Sequence, residues 1–227
     1  MTRVCCSFFL ALFLPVFAFA AAVPSELTEA LKTFRTEGTK GWSFNQTTVA
    51  SEKSTVEHYD PSKPDFARWT LLKKDGKDPT ADETRSYTEK FTRRSRGDTA
   101  PNVKDQLNLA TCEIVSDGPE RGIYRFRLKP GGSEDKSAAF MAATFTLHKP
   151  THTIETVELA SLEPFSPVFA VKVQEAKTVM HYSLPTADRP TLLQEITVRI
   201  RGRAMWFKSL DEDMSVTYTD YASAEKK

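Results

Sequence analysis

From Leu107 onward the chain alternates apolar and charged side chains with a period of two, and this constrains its fold more than any other feature. Tyr124, Phe126 and Leu128 interleave with Arg125, Arg127 and Lys129, as Val198 and Ile200 do with Arg199, Arg201 and Arg203. Only an extended strand sends successive side chains to opposite faces, so each such run has one apolar and one solvated face. The runs are Leu107–Val115, Gly122–Lys129, Ala138–His148, His152–Leu159, Val168–Glu175, Lys177–Ser183, Leu193–Phe207 and Met214–Tyr221. Turn-forming segments separate them at Ser116–Pro119, Pro130–Ser133, Lys149–Thr151 and Leu184–Pro190. Strands spaced in this way predict one long antiparallel sheet, curled into a sandwich, barrel or half-barrel. No internal repeat stands out.

The N-terminal half adds two helices and three strands. Leu27, Ala30, Leu31 and Phe34 fall at helical spacing after Ser25, predicting a helix over Pro24–Arg35 that Gly38 and Gly41 end. Trp42–Val49, Ser54–Tyr59 and Arg68–Lys73 read as strands, the last closed by the turn Asp75-Gly76. The prolines of Asp60–Asp65 make that segment a loop. Thr80 followed by Glu83 is a capping box, and its helix runs through Tyr87 and Phe91 to Arg93-Arg94, where cations suit the helix dipole. Ser95–Lys104 is polar and reads as a connection. The fold class is therefore mainly β (α+β): a curved antiparallel sheet, half-barrel or barrel, with an N-terminal helix and one inserted helix.

Phe8–Phe19 is an apolar run broken only by Pro15, with Arg3 before it, and Ala18-Phe19-Ala20 and Ala20-Ala21-Ala22 at its end both offer small residues at the cleavage positions. That anatomy is a secretory signal, too short to span a membrane as a helix, the alternative being an uncleaved anchor. Residues 1–22 are expected to be a signal peptide, cleaved between Ala20 and Val23, and 23–227 a single β-rich domain. Cys5 and Cys6 precede the apolar run, where a lipoprotein signal would not place its cysteine. The expectation is an exported, periplasmic protein that is not an integral membrane protein once the signal is removed.

Without Arg3 the 31 Lys+Arg become 30, matching the 30 Asp+Glu. A neutral chain argues against a nucleic-acid partner, and for arginine rows that pair with acids such as Glu155 or Glu195 rather than bind a polyanion. Only Cys112 survives cleavage, so no intramolecular disulfide forms. Set in Leu109–Val115, which reads as a buried strand, it is expected to be an inert thiol.

No nucleophile elbow, zinc-protease helix, phosphate-binding glycine loop or dinucleotide fingerprint occurs. His148 and His152 flank a turn with no third metal ligand beside them, and His58 and His181 stand alone. Asp211-Glu212-Asp213 reads as a hairpin turn. No catalytic, metal or cofactor residue is assigned and no cofactor is expected. A hydrolase site assembled from distant residues stays open.

Tyr59–Pro64 and Arg68–Thr80, with Asp-Pro-Ser-x-Pro followed by Trp-x-Leu-Leu-x-x-Asp-Gly and Pro-Thr, resemble a family of uncharacterised exported proteins of Gram-negative bacteria. The element order also resembles the periplasmic lipoprotein-carrier half-barrels of the LolA and LolB type, whose apolar concavity carries lipoprotein acyl chains. That resemblance is architectural and transfers no site residue. It implies a non-enzymatic binding or carrier protein for a lipid, acyl chain or lipoprotein. The alternatives are an envelope structural or protein-interaction domain with a self-filled core, and the hydrolase. Trp69, between the proline loop and the Asp-Gly turn, is expected to be a packing anchor. Phe165, Val168 and Phe169 are the candidate cover of the inner face, together with the Thr80–Arg94 helix.

Overall fold

Period-two patterning needs hydrogen-bonded neighbours on both sides to bury its apolar face, and the chain supplies them by folding into one sheet. The computed structural model describes residues 22–37, 40–94, 102–130, 137–205 and 207–224, for 91–94 the backbone only. In chain order the elements are α1 (Ser25–Thr33), β1 (Trp42–Ala50), β2 (Lys53–Tyr59), β3 (Trp69–Lys74), α2 (Ala81–Arg94), β4 (Glu113–Asp117), β5 (Arg121–Arg127), β6 (Met141–His148), β7 (Thr153–Ser161), β8 (Val171–Tyr182), β9 (Leu193–Ala204), β10 (Lys208–Ser209) and β11 (Glu212–Ser223). The strands form one antiparallel, curved and unclosed sheet in the order β3-β2-β1-β11-β9-β8-β7-β6-β5-β4, with the short β10 on β9. The mainly β fold with two helices is thus the one the patterning predicts.

Cross-strand register defines a single inner face. One row runs Ile114, Tyr124, Phe145, Val157, Met180, Ile196, Val216, Thr48 and Thr55, each directly opposite the next. Its middle members are apolar, and its last two are threonines. α1 fills the face over β5–β8 with Leu27 and Ala30, and Phe34, the residue capping its C-terminus, joins them, all three buried. Phe34 meets Phe145 and Tyr182 edge-on, at centroid distances of 6.1 and 5.3 Å, which is the arrangement aromatic quadrupoles favour. Tyr124, Phe126 and Phe145 beneath it are fully buried. This half is a sealed core.

Three local readings change. Leu107–Val115 is not one buried strand: a single 3-10 turn at Leu109–Thr111 interrupts it, and all of β4 is exposed. The Thr111 hydroxyl accepts the Arg127 N–H at 2.9 Å, so a side chain takes the place of a ladder carbonyl and lets the backbone turn. Cys112, just before β4, is nevertheless buried, and burial pushes its pKa up. Second, the runs Val168–Glu175 and Lys177–Ser183 merge into one twelve-residue strand, β8 (Val171–Tyr182), which leaves Val168, Phe169 and Ala170 in the loop before it. Their apparent break is a bulge between Val173 and Glu175, patched by the Ala176 N–H donating to Ser161 Oγ at 3.0 Å. Third, Asp213 lies inside β11 and pairs with Arg201 at 2.7 Å and Arg199 at 3.4 Å, whereas Glu155 pairs with Arg121 at 2.7 Å. The outer-face arginines Arg125, Arg199 and Arg201 thus meet acids of neighbouring strands, with Arg125 reaching Glu113 at 3.5 Å.

The capping box at α2 forms as spaced. The Glu83 N–H donates to Thr80 Oγ1 at 3.3 Å, the Thr80 N–H donates to Glu83 Oε2 at 2.9 Å, and Lys74 Nζ reaches Glu83 at 2.7 Å. Lys74 first, then the Thr80 donors, hold the Glu83 carboxyl below its ordinary 4.5, at about 2. Because the folded pKa lies below the unfolded one, this contribution is complete above about pH 4.5 and is lost as pH falls through about 2. An NMR titration should find the Glu83 carboxyl and the Thr84–Tyr87 amides shifting together with a midpoint near 2. A midpoint at the ordinary 4.5 would mean that the box does not anchor α2.

Candidate ligand-binding face

The inner face beyond the sealed core, over β1, β2, β3 and β11, is lined differently. Phe44 on β1 lies opposite Tyr59 on β2, which lies opposite Trp69 on β3. Phe44 is the hub of an aromatic nest, with Tyr59 at 5.0 Å, Tyr218 at 5.4 Å, Tyr221 at 5.5 Å and Trp69 at 5.8 Å between ring centroids. Every ring in it is only half-buried. The same ring types that close the α1 half therefore stand partly open here. Tyr221 is brought into the nest by an irregularity in the β1–β11 register, where Asp220 takes a left-handed φ of 54°. Its hydroxyl donates to the Leu193 carbonyl, linking the nest to β9.

A cleft of about 560 Å³ opens beside the nest, walled by Trp42, Phe44, Tyr59, Pro61 and Trp69 and rimmed by Glu37, Lys40 and Arg68. Arg68 is held in place: its Nε donates to the Lys63 carbonyl at 3.0 Å and its guanidinium meets Asp65 at 2.8 Å. The proline loop leading into β3 thereby shapes one wall. Trp69, the expected anchor, meets Tyr59 at 5.0 Å with the two rings tilted by 52°, and is at once a packing residue of the nest and a wall of the cleft.

One step further along β1 and β2 the inner face turns polar. Gln46 Nε2 donates to Glu57 at 3.1 Å and to Thr48 Oγ1 at 3.3 Å. The Tyr87 hydroxyl of α2 comes down on Glu57, and its pKa is pushed well up, by burial first and by that carboxylate second. Tyr218, on the other side, is pushed up to about 12 by burial and then by Glu57. Two phenols held firmly in their neutral form and one amide thus surround a carboxylate under the helix. Phenols so raised are hydrogen-bond donors rather than bases at neutral pH. This polar patch was missed in sequence because Gln46 and Glu57 look like solvent-facing members of ordinary alternating strands; only the register with Val216, Tyr218 and Leu71 assigns them to the inner face.

The other expected positions fall elsewhere. Phe165 is buried, stacks on Phe140 at 5.5 Å and 5°, and exchanges two backbone hydrogen bonds with Val173. Val168 and Phe169 are 60% and 93% exposed. α2 packs on β3. His58, His148 and His181 bond Asn45, Thr151 and Thr156 at 2.8, 2.7 and 3.2 Å. His152 is exposed, with a left-handed φ of 51° at the turn. Among the described residues there is no cluster of three metal-ligating side chains and no helix long and apolar enough to cross a membrane. The signal segment lies outside the described residues.

No family model and no curated protein matches the sequence. Among solved structures the chain is similar to GphF dehydratase 1, at 13% identity over 88% of this chain and 81% of that one, with a TM-score of 0.19. It is similar to an isomerase-inactive variant of that dehydratase at 13% identity, over 88% and 80%, with a TM-score of 0.18. Likeness at this level carries no argument about fold or activity.

Proposed function

We propose that this is an exported, periplasmic, non-enzymatic binding or carrier protein whose aromatic cleft takes an apolar chain of the lipid, acyl-chain or lipoprotein class. The observation that supports it most directly is the unequal filling of one continuous inner face. Over β5–β8 the face is closed by α1, with Phe126 and Phe145 at 0% exposure. Over β1–β3 and β11 the five nest rings remain half-open, and three of them, Phe44, Tyr59 and Trp69, wall a cleft of about 560 Å³ together with Trp42. That volume lies within the roughly 300–1,000 Å³ usual for small-molecule sites, which are mostly apolar and concave. Burying about twelve methylenes there offers roughly 10 kcal/mol before the costs of association. Lys40 at the rim would meet an anionic head, and the nest would meet the chain.

The test is titration with a fluorescent fatty acid or lipopeptide. Saturable binding is expected, displaced by unlabelled acyl chain and weakened about tenfold in Trp42→Ala, which removes an aromatic wall. Native mass spectrometry of protein taken from its own host should retain acyl-chain mass. Absence of saturable binding would favour the second reading, an envelope structural or protein-interaction domain, for which the self-filled α1 half is the supporting observation.

A further inference from the structure

Among the described residues the four most exposed large apolar side chains, Val168, Phe169, Met205 and Phe207, gather at one end of the sheet. The β7–β8 connection carries Leu162, Val168 and Phe169, exposed by 44, 60 and 93%, and the β9–β10 connection carries Met205 and Phe207, exposed by 60 and 82%. These two connections are neighbours: the Met205 N–H donates to the Ala170 carbonyl at 2.7 Å, and β9 ends at Ala204 opposite Val171. Ala170 and Met205 both adopt left-handed φ angles, 68° and 49°, which residues with a Cβ take only when their surroundings hold them there. The Val171 N–H donates to Val168, and the Phe165–Val173 pair ties the loop to β8. The rings thus project from a braced double loop. Such exposure is a cost in water that a monomer ordinarily avoids.

The surrounding charge identifies the occupant. Lys172 lies opposite Arg203 across β8 and β9, and Lys208 lies opposite Ala204 on β10. All three cations are exposed, and none pairs with an acid among the described residues. Elsewhere on the outer face Arg199 and Arg201 are matched by Asp213. Of the nearby acids, Glu163 lies on the β7–β8 loop, Asp211 accepts the Gly202 N–H at 3.1 Å, and both Asp211 and Glu175 act on Arg201. A protein partner fits best where apolar groups line a groove or flat patch. Protruding rings with unpaired cations on the adjoining strand ends match instead a bilayer surface, where rings enter the headgroup boundary and cations meet anionic lipid.

We propose that the paired β7–β8 and β9–β10 loops dock this protein on an anionic membrane surface, with Phe169 and Phe207 inserting and Lys172, Arg203 and Lys208 holding the headgroups. This goes beyond the carrier reading and does not depend on the cleft. The experiment is co-sedimentation of the signal-cleaved protein with vesicles of phosphatidylcholine alone or with about one-third phosphatidylglycerol. Binding is expected to the anionic vesicles and to weaken with salt. Phe169→Ser with Phe207→Ser should reduce it about tenfold or more, since two inserted rings are lost. Lys172→Glu with Arg203→Glu should abolish the preference for anionic lipid. Phe66→Ser, which alters an exposed ring on the loop before β3, should leave binding unchanged. All of these positions are exposed, so unchanged thermal melts check the fold of each variant. No binding to either vesicle overturns the proposal, as does equal loss in Phe66→Ser. A concentration-dependent dimer broken by the Phe169/Phe207 pair would assign the patch to a second copy of the chain and overturn it too. Failure of the acyl-chain titration leaves this result untouched.

Discussion

Phe145→Ala is expected to lower stability by about 3–5 kcal/mol, the usual cost of deleting a buried phenyl ring from a core that relaxes only partly. The ring is fully buried on β6, edge-on to Phe34 of α1 and to Phe126 of β5 at 6.1 and 6.0 Å. Removing it opens a cavity where helix and sheet meet, and it removes two edge-to-face aromatic pairs. The denaturation midpoint should fall with little change in slope. A loss below about 1.5 kcal/mol would mean that α1 is not seated on β6 and that the sealed half of the face is looser than described.

Gly202→Ala is expected to destabilise by about 1–3 kcal/mol or more, through overpacking rather than cavity formation. A Cβ at position 202 would lie 2.6 Å from the Lys172 carbonyl oxygen and 3.3 Å from the Val173 Cα. Both are backbone atoms of the neighbouring strand, so no side-chain rotation relieves the clash. The strands must part at the site where β8 bulges and where Leu210 and Asp211 bond the glycine's carbonyl and N–H. Amide exchange should accelerate first at Val173, Arg201 and Gly202. A variant as stable as the parent, with unchanged protection there, would contradict this packing.

Much of the candidate site lies in residues that were individually conspicuous and collectively invisible. Trp42, Phe44, Tyr59 and Trp69 stand in strand patterns that any reader of the sequence would mark as apolar. Phe44, Tyr59 and Trp69 meet through the β1–β2 and β2–β3 pairings, but Tyr218 and Tyr221 join them only because β1 also pairs with β11, well over a hundred residues away. Period-two alternation is silent on which strand lies beside which, because every alternating strand offers the same edge of N–H and C=O groups. Gln46 and Glu57 illustrate the other limit: a polar residue in an alternating strand defaults to the solvent face, and only register reassigns it. The segment Pro164–Phe169 illustrates a third. Its apolarity was plain, but apolarity in a loop does not distinguish a ring packed inward, as Phe165 is against Phe140, from one projected outward, as Phe169 is.

By itself the sequence determined both helices, most of the strands and the fold class, because these follow from short-range rules: alternation for the strands, helical spacing for α1, and the Thr80–Glu83 box for the start of α2. It also determined the wet and dry faces of β5, where Tyr124 and Phe126 are buried between arginines. Tertiary structure alone decided the strand order, the uneven filling of the inner face and the meeting of the two exposed loops. Each of these rests on contacts between separate segments, most distantly the β1–β11 pairing, and their energies depend on how volumes and charges match across space rather than on short-range pattern along the chain.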